Sequence, residues 1–320
     1  NFQVDVELTA GPLIGQRRLA LRCDAASSLG GSIDRATEFP VISAAVEAGV
    51  KTPAARWLAN GITGTAGSGY FLDWTKGTAI GRQVVRNPEL EAARGLLPAQ
   101  LAETLVRIHS ITRDSHPDLP IGGLGTHFCG DPIESSMRGI RDMLDTLLEP
   151  HPALEMVVAW LDENRPKNTI TTLVHGDFRT GNFMVTPDGL AGVLDWEFTH
   201  WGAPEEDIAW LCVRDWRFGQ LKKPAGGFAT RQTFYEAYEA AGGAPVDPNV
   251  VRWFEVLGNA RWAVGCAHQA MRYLSGKQQD IELLAIGRRI AEMEYEAMRL
   301  IDLTPSSPLK AASPSSIGSE

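Results

Sequence analysis

Leu173-Val-His-Gly-Asp-Phe-Arg-Thr-Gly-Asn-Phe-Met-Val185, followed closely by Val193-Leu-Asp-Trp-Glu197, is the stretch around which the chain is organised. Two apolar runs, Ile170 to Val174 and Phe183 to Val185, flank a polar loop. Thr186-Pro-Asp-Gly189 then supplies turn chemistry leading into a third run, Leu190 to Leu194. The pattern predicts three short strands that present His175, Asp177, Arg179, Asn182 and Asp195 on adjoining loops. A carboxylate and an amide oxygen are hard ligands of the kind Mg²⁺ accepts, a second carboxylate can take a hydroxyl proton, and an arginine can neutralise phosphate oxygens. Phosphoryl transfer is the chemistry that this set suits. Singly the residues say less, because aspartate is common in turns for its own backbone hydrogen bonds.

Composition bounds the rest. The 320 residues suffice for one large or two modest domains, and 44% hydrophobic with 22% charged is ordinary for a globular protein. A formal charge of −9 argues against non-specific binding to nucleic acid or anionic membrane, which needs clustered Lys and Arg. Cys23, Cys129, Cys212 and Cys266 lie far apart with no C-x-x-C pair, so they read as buried thiols in a reducing compartment, not as a zinc site or disulfide framework. With no apolar run near the roughly 20 residues of a membrane span and no basic-then-apolar start, the expectation is a cytoplasmic protein.

Before the central stretch, Phe2 to Leu8 alternates at period two and reads as a strand, Gly11 to Gly15 as the turn after it, and Arg17 to Cys23 as a second strand. On that second strand Leu19, Leu21 and Cys23 share one face, with Ala20 and Arg22 on the other. Ser32 to Val50 has helical spacing with Ser32 as cap, and Pro40 predicts a kink or a fresh start there. Gly61 to Gly69 lacks a Gly-Lys-Ser/Thr ending and reads as a hairpin connection into the strand Tyr70 to Trp74. Helical patterns follow from Pro98, over Ser135 to Leu148, Leu154 to Glu163, Arg231 to Ala241, Pro248 to Leu274 and Asp280 to Leu303. His109 reads as a core or capping histidine, and Trp253, Trp262 and Met271 as core. Residues 304–320 have a disordered composition.

His-Gly-Asp-x-x-x-x-Asn followed by Leu-Asp-Trp-Glu resembles the aminoglycoside phosphotransferase and choline kinase group of kinase-like enzymes. Asp177 to Asn182 has the spacing of the protein-kinase loop H-R-D-x-x-x-x-N, and Asp195 stands where the aspartate of D-F-G would. Asp-Phe-Arg-x-Gly-Asn and the following Trp-Glu look most like bacterial phosphotransferases related to the kinase-like domain of some acyl-CoA dehydrogenases. The resemblance covers roughly residues 1–300.

It implies an α+β, two-lobed protein-kinase-like fold: a strand-rich nucleotide-binding lobe over 1–74, and a mainly helical catalytic and substrate lobe over 75–303. It implies ATP in the cleft, with the Gly-rich loop expected before Asn1. Ala20 would lie against adenine, Arg22 would reach the phosphates with Glu38 as its partner, and backbone groups of Asp73 and Thr75 would meet the adenine edge. Asp177 would be the base for a small-molecule hydroxyl acceptor, Arg179 would neutralise the phosphate in flight, and Asn182 and Asp195 would hold Mg²⁺. Glu197 would be a further metal ligand or an orienting acid, and Asp207 would brace the loop. For the acceptor the resemblance points to hydroxylated metabolites, hydroxyacyl-CoA thioesters among them, with aminoglycosides as the alternative. Arg261, Arg272, Lys277, Arg288 and Arg289 on the late helices form a mixture suited to an anionic, partly apolar molecule or to a solvated face. Two rival readings stand beside these: a metal-dependent phosphoesterase built on His175, Asp177 and Asp195, and a nucleotide-binding pseudokinase.

Overall fold

The alternation at the start of the chain builds an antiparallel sheet. In the computed structural model, which describes residues 2–24, 31–62, 67–124, 128–167, 169–276 and 278–302, β1 (Phe2–Leu8) pairs with β2 (Gly15–Cys23), setting Val4 opposite Leu19. β2 pairs in turn with β4 (Ser68–Asp73), and β4 with β3 (Ala55–Asn60), giving the order β1-β2-β4-β3. Leu19 and Leu21 are buried, and Ala20 and Arg22 line a cleft. The middle of the expected Gly61 to Gly69 connection and all of 304–320 lie outside the described residues.

The helix α1 (Arg35–Glu47) crosses behind this sheet. Its cap is Asp34 and not Ser32, because the Asp34 carboxylate accepts the Thr37 N–H at 2.8 Å. The helix also continues through Pro40. Proline there forfeits the one bond to the Ala36 carbonyl, and burial of Val41, Ile42, Ala44 and Ala45 holds the following turns in place.

Beyond the sheet the chain is mostly helical: α2 (Gly81–Arg86), α3 (Glu91–His109), α4 (Pro132–Leu144), α5 (Pro152–Glu163), α6 (Pro204–Cys212), α7 (Arg231–Ala240), α8 (Pro248–Leu274), α9 (Ile281–Gly287) and α10 (Ile290–Asp302). α3 begins seven residues before the expected Pro98, which sits inside it, and the helix expected over 280–303 is divided at Arg288 and Arg289. α8 is the spine. α4, α5, α6, α9 and α10 pack on it, and the buried Trp253 anchors it by donating its indole N–H to the Leu161 carbonyl at 2.9 Å.

Two short antiparallel pairs carry the central stretch: β5 (Thr172–Val174) with the later strand β8 (His200–Gly202), and β6 (Phe183–Thr186) with β7 (Gly189–Val193) as a hairpin. They are tied to the first sheet's end of the molecule by Val193 N–H to Lys51 O at 2.8 Å and by a reciprocal pair between Thr78 and Val185 at 2.9 and 3.0 Å. Gly77 makes that approach possible. It sits at φ +125°, and a Cβ there would lie 2.7 Å from the Val185 carbonyl oxygen. No helix among the described residues is long and apolar enough to cross a membrane.

The Asp34 cap yields the first expectation: Asp34→Ala lowers unfolding stability by about 1 kcal/mol, read as a reduced urea midpoint with an unchanged slope.

Candidate active site

The loop after β5 dives into the core, so its polar groups must find partners there. His175 is wholly buried, and burial pushes its pKa down, so the ring is neutral. The Leu194 carbonyl can only accept, so the Nε2 at 3.0 Å carries the proton and Nδ1 accepts the Asp177 N–H at 3.2 Å. Both ring nitrogens are therefore used. This geometry makes His175 a support of the loop, and a phosphoesterase centre on His175, Asp177 and Asp195 is not assembled. Among the described residues no group of three His, Cys, Asp or Glu is placed to hold a metal.

Asp207, fully buried near the start of α6, accepts the backbone N–H groups of His175 at 2.8 Å and Gly176 at 2.9 Å. Gly176 is at φ +75°, and a Cβ would stand 2.1 Å from the Phe198 carbonyl oxygen, so no other residue fits. His109 from α3 closes the far side of Asp207 at 3.2 Å and meets the Tyr238 hydroxyl at 2.8 Å.

The Asp177 carboxylate is held by donors from three directions. Oδ1 accepts from Arg179 Nε at 2.9 Å and from the Trp210 indole at 2.7 Å, and Oδ2 accepts from Asn182 Nδ2 at 2.6 Å. The same amide nitrogen also reaches the Asp177 carbonyl at 2.9 Å. Both neighbours of the amide nitrogen are acceptors, which leaves the Asn182 oxygen free to face a cation. Arg179 lies over the Trp216 ring at 4.3 Å, and Trp216 stacks in turn against Trp210 and Trp262 at 5.7 and 5.0 Å. Sequence reasoning missed Trp210 and Trp216. Trp210 had a signal, since it follows Asp207 by three residues on one helix and must face the same loop.

Asp195, in the left-handed region at φ +70°, is turned toward β2. Arg22 bonds Glu38 at 3.1 Å, Asp195, and Glu197 at 3.2 Å. The Arg22 to Glu38 pair thus forms despite Pro40. Arg35, which sequence reasoning passed over although it precedes Glu38 by one turn, bonds Glu38 and reaches Glu197 at 3.0 Å. Burial and then the neighbouring Asp195 charge push the Glu197 pKa up, against the pull of Arg22 and Arg35. Three carboxylates against two guanidiniums leave this contact set short of positive charge.

A cavity of about 230 Å³ adjoins this cluster, and Ala20, Arg22, Glu38, Asp73, Thr75 and Asp195 line it with Ile42, Tyr70, Leu72 and Met184. Asp177, Arg179, Asn182 and Glu197 are not in its wall. The Asp73 N–H is already donated to Ala54 O at 3.0 Å, and its carboxylate pairs with Arg56 at 2.8 Å, so only the Asp73 carbonyl is left for a ligand. Among the described residues the Thr75 backbone makes no backbone hydrogen bond.

Of the late-helix cations, Arg261 is buried beneath Trp210 at 5.0 Å and paired with Glu206, Arg272 bonds Gln269 and Gln278, and Arg289 pairs with Asp215. Lys277 lies outside the described residues.

Comparison with known proteins bears on the family and the fold. The profile of the phosphotransferase enzyme family matches residues 15–254. Acyl-CoA dehydrogenase family member 10 of Mus musculus is 26% identical over 209 residues, which is 62% of this chain and 18% of that protein. Acyl-CoA dehydrogenase family member 11 of Rattus norvegicus is 30% identical over 126 residues, 38% of this chain and 16% of that protein. The chain therefore spans less than a fifth of the length of these relatives. Among solved structures, a Ralstonia eutropha protein assigned as an aminoglycoside phosphotransferase superposes with TM-score 0.67 at 19% identity, covering 88% of this chain and 86% of that one. A choline/ethanolamine kinase family protein from Mesorhizobium loti gives 0.59 at 17%, covering 95% and 89%. A thermostable aminoglycoside phosphotransferase APH(4)-Ia mutant, in a ternary complex with ADP and hygromycin B, gives 0.58 at 14%, covering 93% and 94%. The fold is the two-lobed α+β kinase-like one expected.

The support beneath Trp210 titrates. Burial pushes the Glu206 pKa up, but His200 at 3.2 Å and Arg261 outweigh it and hold the carboxyl at about 2. The folded pKa lies below the unfolded one of roughly 4.5, so the contribution is complete above that pH and is lost as pH falls toward 2. Glu206→Gln is therefore expected to be less stable than the parent by a few kcal/mol, on the order of what such a shift implies. The difference should shrink steadily in urea melts taken between pH 5 and pH 2.5.

Proposed function

The chain belongs to the phosphotransferase enzyme family, and from that premise we propose that it transfers the γ-phosphate of ATP to a hydroxyl of a small organic or acyl metabolite. The observation that carries this reading is the carboxylate of Asp177, fixed by Arg179, Trp210 and Asn182 beside the cluster of Arg22, Asp195 and Glu197. We assign residues 1–74 to the nucleotide lobe and 75–303 to the catalytic and substrate lobe. The apolar cleft under β2 takes the base, with Ala20 against it and the Asp73 carbonyl and Thr75 backbone at its edge. Arg22, steadied by Glu38, turns from Asp195 to the phosphates when nucleotide enters.

A divalent cation suits the acidic side. The free Asn182 oxygen and the Asp195 carboxylate are hard donors, Glu197 stands as a third or as an orienting acid, and the mutual repulsion of Asp195 and Glu197 is what a cation would relieve. Bound Mg²⁺ would offset phosphate charge. Asp177 orients the acceptor hydroxyl and takes its proton, and Arg179, two residues on, offsets charge on the moving phosphoryl group. Arg179, held against the Trp216 ring beside Asp177, disfavours a polycationic aminoglycoside on that side, while Arg261 is already neutralised by Glu206. The acyl-CoA in the names of the curated relatives supports a hydroxyacyl metabolite instead.

Asp177→Asn is expected to keep Mg²⁺-dependent ATP affinity within about threefold and to cut turnover by a factor on the order of 10³ or more. Asp195→Asn should lose the metal-dependent part of ATP binding itself. Calorimetry with and without Mg²⁺, paired with ATP consumption over panels of hydroxyacyl-CoAs, sugars, amino alcohols and aminoglycosides, separates the two. Identical behaviour of the two variants in both assays would refute the division of roles.

A further inference from the structure

Behind Trp216, away from the nucleotide cleft, Arg82, Arg86, Arg214 and Arg289 converge on a second cavity of about 350 Å³, with Asp215 and Glu292 as its acidic lining. None of its residues lines the first cavity. Arg82 and Arg86 stand one turn apart on α2, an arrangement in which like charges repel.

The elements are held so that this repulsion persists. Gly81 at the head of α2 is so close to Phe218 that a Cβ would fall 2.1 Å from the ring, and Arg86 donates to the Phe218 carbonyl at 2.8 Å. α2 is thereby pinned to the segment carrying Arg214 and Asp215. The existing ion pairs do not neutralise the cavity. Arg289 is matched by Asp215 and, at 3.5 Å, by Glu292, while the partner of Arg214 is Glu296 at 3.5 Å, outside the lining. Arg86 spends one N–H on a neutral carbonyl, and Arg82 makes no ion pair or hydrogen bond among the described residues. A chain with a formal charge of −9 has here assembled four guanidiniums against two carboxylates.

We propose that this cavity binds an anionic group, a phosphate or a carboxylate, carried by the acceptor at a distance from its reacting hydroxyl. The inference rests on the phosphotransferase reading for the identity of the ligand and on the cavity itself for the binding. The chain of contacts runs directly from one to the other. Trp216, the residue after Asp215, carries Arg179 on its face, and Arg179 bonds Asp177. On this proposal an extended acceptor with its hydroxyl at Asp177 directs its far end to this cavity. Guanidinium groups suit the task because their forked N–H groups match the oxygens of phosphate and carboxylate.

The test uses the full chain with Mg·ADP present, titrated calorimetrically with inorganic phosphate. Saturable binding is expected, weakened at least tenfold by Arg82→Glu and unchanged by Arg17→Glu, which alters the same charge on the outer face of β2. ADP affinity should be the same in all three proteins. Phosphate binding that Arg82→Glu leaves intact, or no saturable binding at all, overturns the proposal, and neither result touches the ADP measurement on which the phosphotransferase reading stands. In turnover, Arg82→Gln should raise KM about tenfold for a hydroxylated acceptor ending in phosphate or carboxylate, with kcat unchanged. KM for the uncharged counterpart of equal length should not move. An equal KM shift for both acceptors, or a fall in kcat in place of the KM effect, would count against an anion subsite. A matched phosphate and carboxylate pair then tells which group the arginines prefer.

Discussion

A polar loop of eight residues, His175 to Asn182, has to cross the core of this protein, and the buried carboxylate of Asp207 is what permits it. Two backbone N–H groups that would otherwise be orphaned away from water, each costing roughly 1–3 kcal/mol, share its oxygens. The charge of Asp207 is itself met by those two N–H groups and His109. The consequences run outward. Gly176 turns left-handed, the His175 ring is locked by the Leu194 carbonyl, and the Leu194 N–H returns to Asn182 O at 2.8 Å. The loop bearing Asp177 and the loop bearing Asp195 are thus one hydrogen-bonded unit, and α6 supplies both Asp207 beneath it and Trp210 to the Asp177 carboxylate.

The second constraint is a charge imbalance between β2 and that unit. Arg22 is shared among Glu38, Asp195 and Glu197, and burial alone would discourage its charge. The three carboxylates more than reverse that, and their hold on Arg22 joins the two halves of the molecule across the cleft. Such a shared cation is a weak source of stability, since desolvation consumes much of the Coulombic gain. On the proposed function it is a switch, because an incoming cation on one side and phosphates on the other give every member a new partner. The Arg35 contacts with Glu38 and Glu197 keep the carboxylates in place while Arg22 is exchanged.

How much of this the sequence disclosed follows from the range of each interaction. Strand β2 and the β6–β7 hairpin were legible because alternation and turn residues are local signals, and α8 was legible from its period. The loop residues were legible because their spacing is set by one tight backbone path. What escaped depended on distant partners. β8 is three residues with no period of its own and exists because β5 needs a partner. The Pro40 expectation gave too much weight to one lost hydrogen bond against a buried face. His109 was left without a role because its partners, Asp207 and Tyr238, lie 98 and 129 residues away. Trp216 and the arginine cavity are likewise products of packing between segments that no window of sequence contains, as is the exposure of Cys129, where a buried thiol was expected.

Net charge illustrates the same difference of range, and it bears on the acceptor. A formal −9 suggests attraction for a polycation, yet surface charges more than about 8 Å from a ligand are largely screened at physiological salt. A bound acceptor senses the groups within that distance, in a medium where each counts for more than it does in water. The cations linked to Asp177 by contact are Arg179, which bonds it and lies on Trp216, and Arg261, which lies on Trp210, with the arginine cavity beginning at the residue beside Trp216. Arg261 is neutralised by Glu206, which limits its pull, whereas Arg82 is matched by no acid among the described residues. What is linked to the proposed base on this side is therefore two paired guanidiniums on indole faces, with one unmatched guanidinium, Arg82, in the cavity beyond. Under the proposed function that surface suits a partly apolar, anionic acceptor, although the whole chain carries the opposite sign.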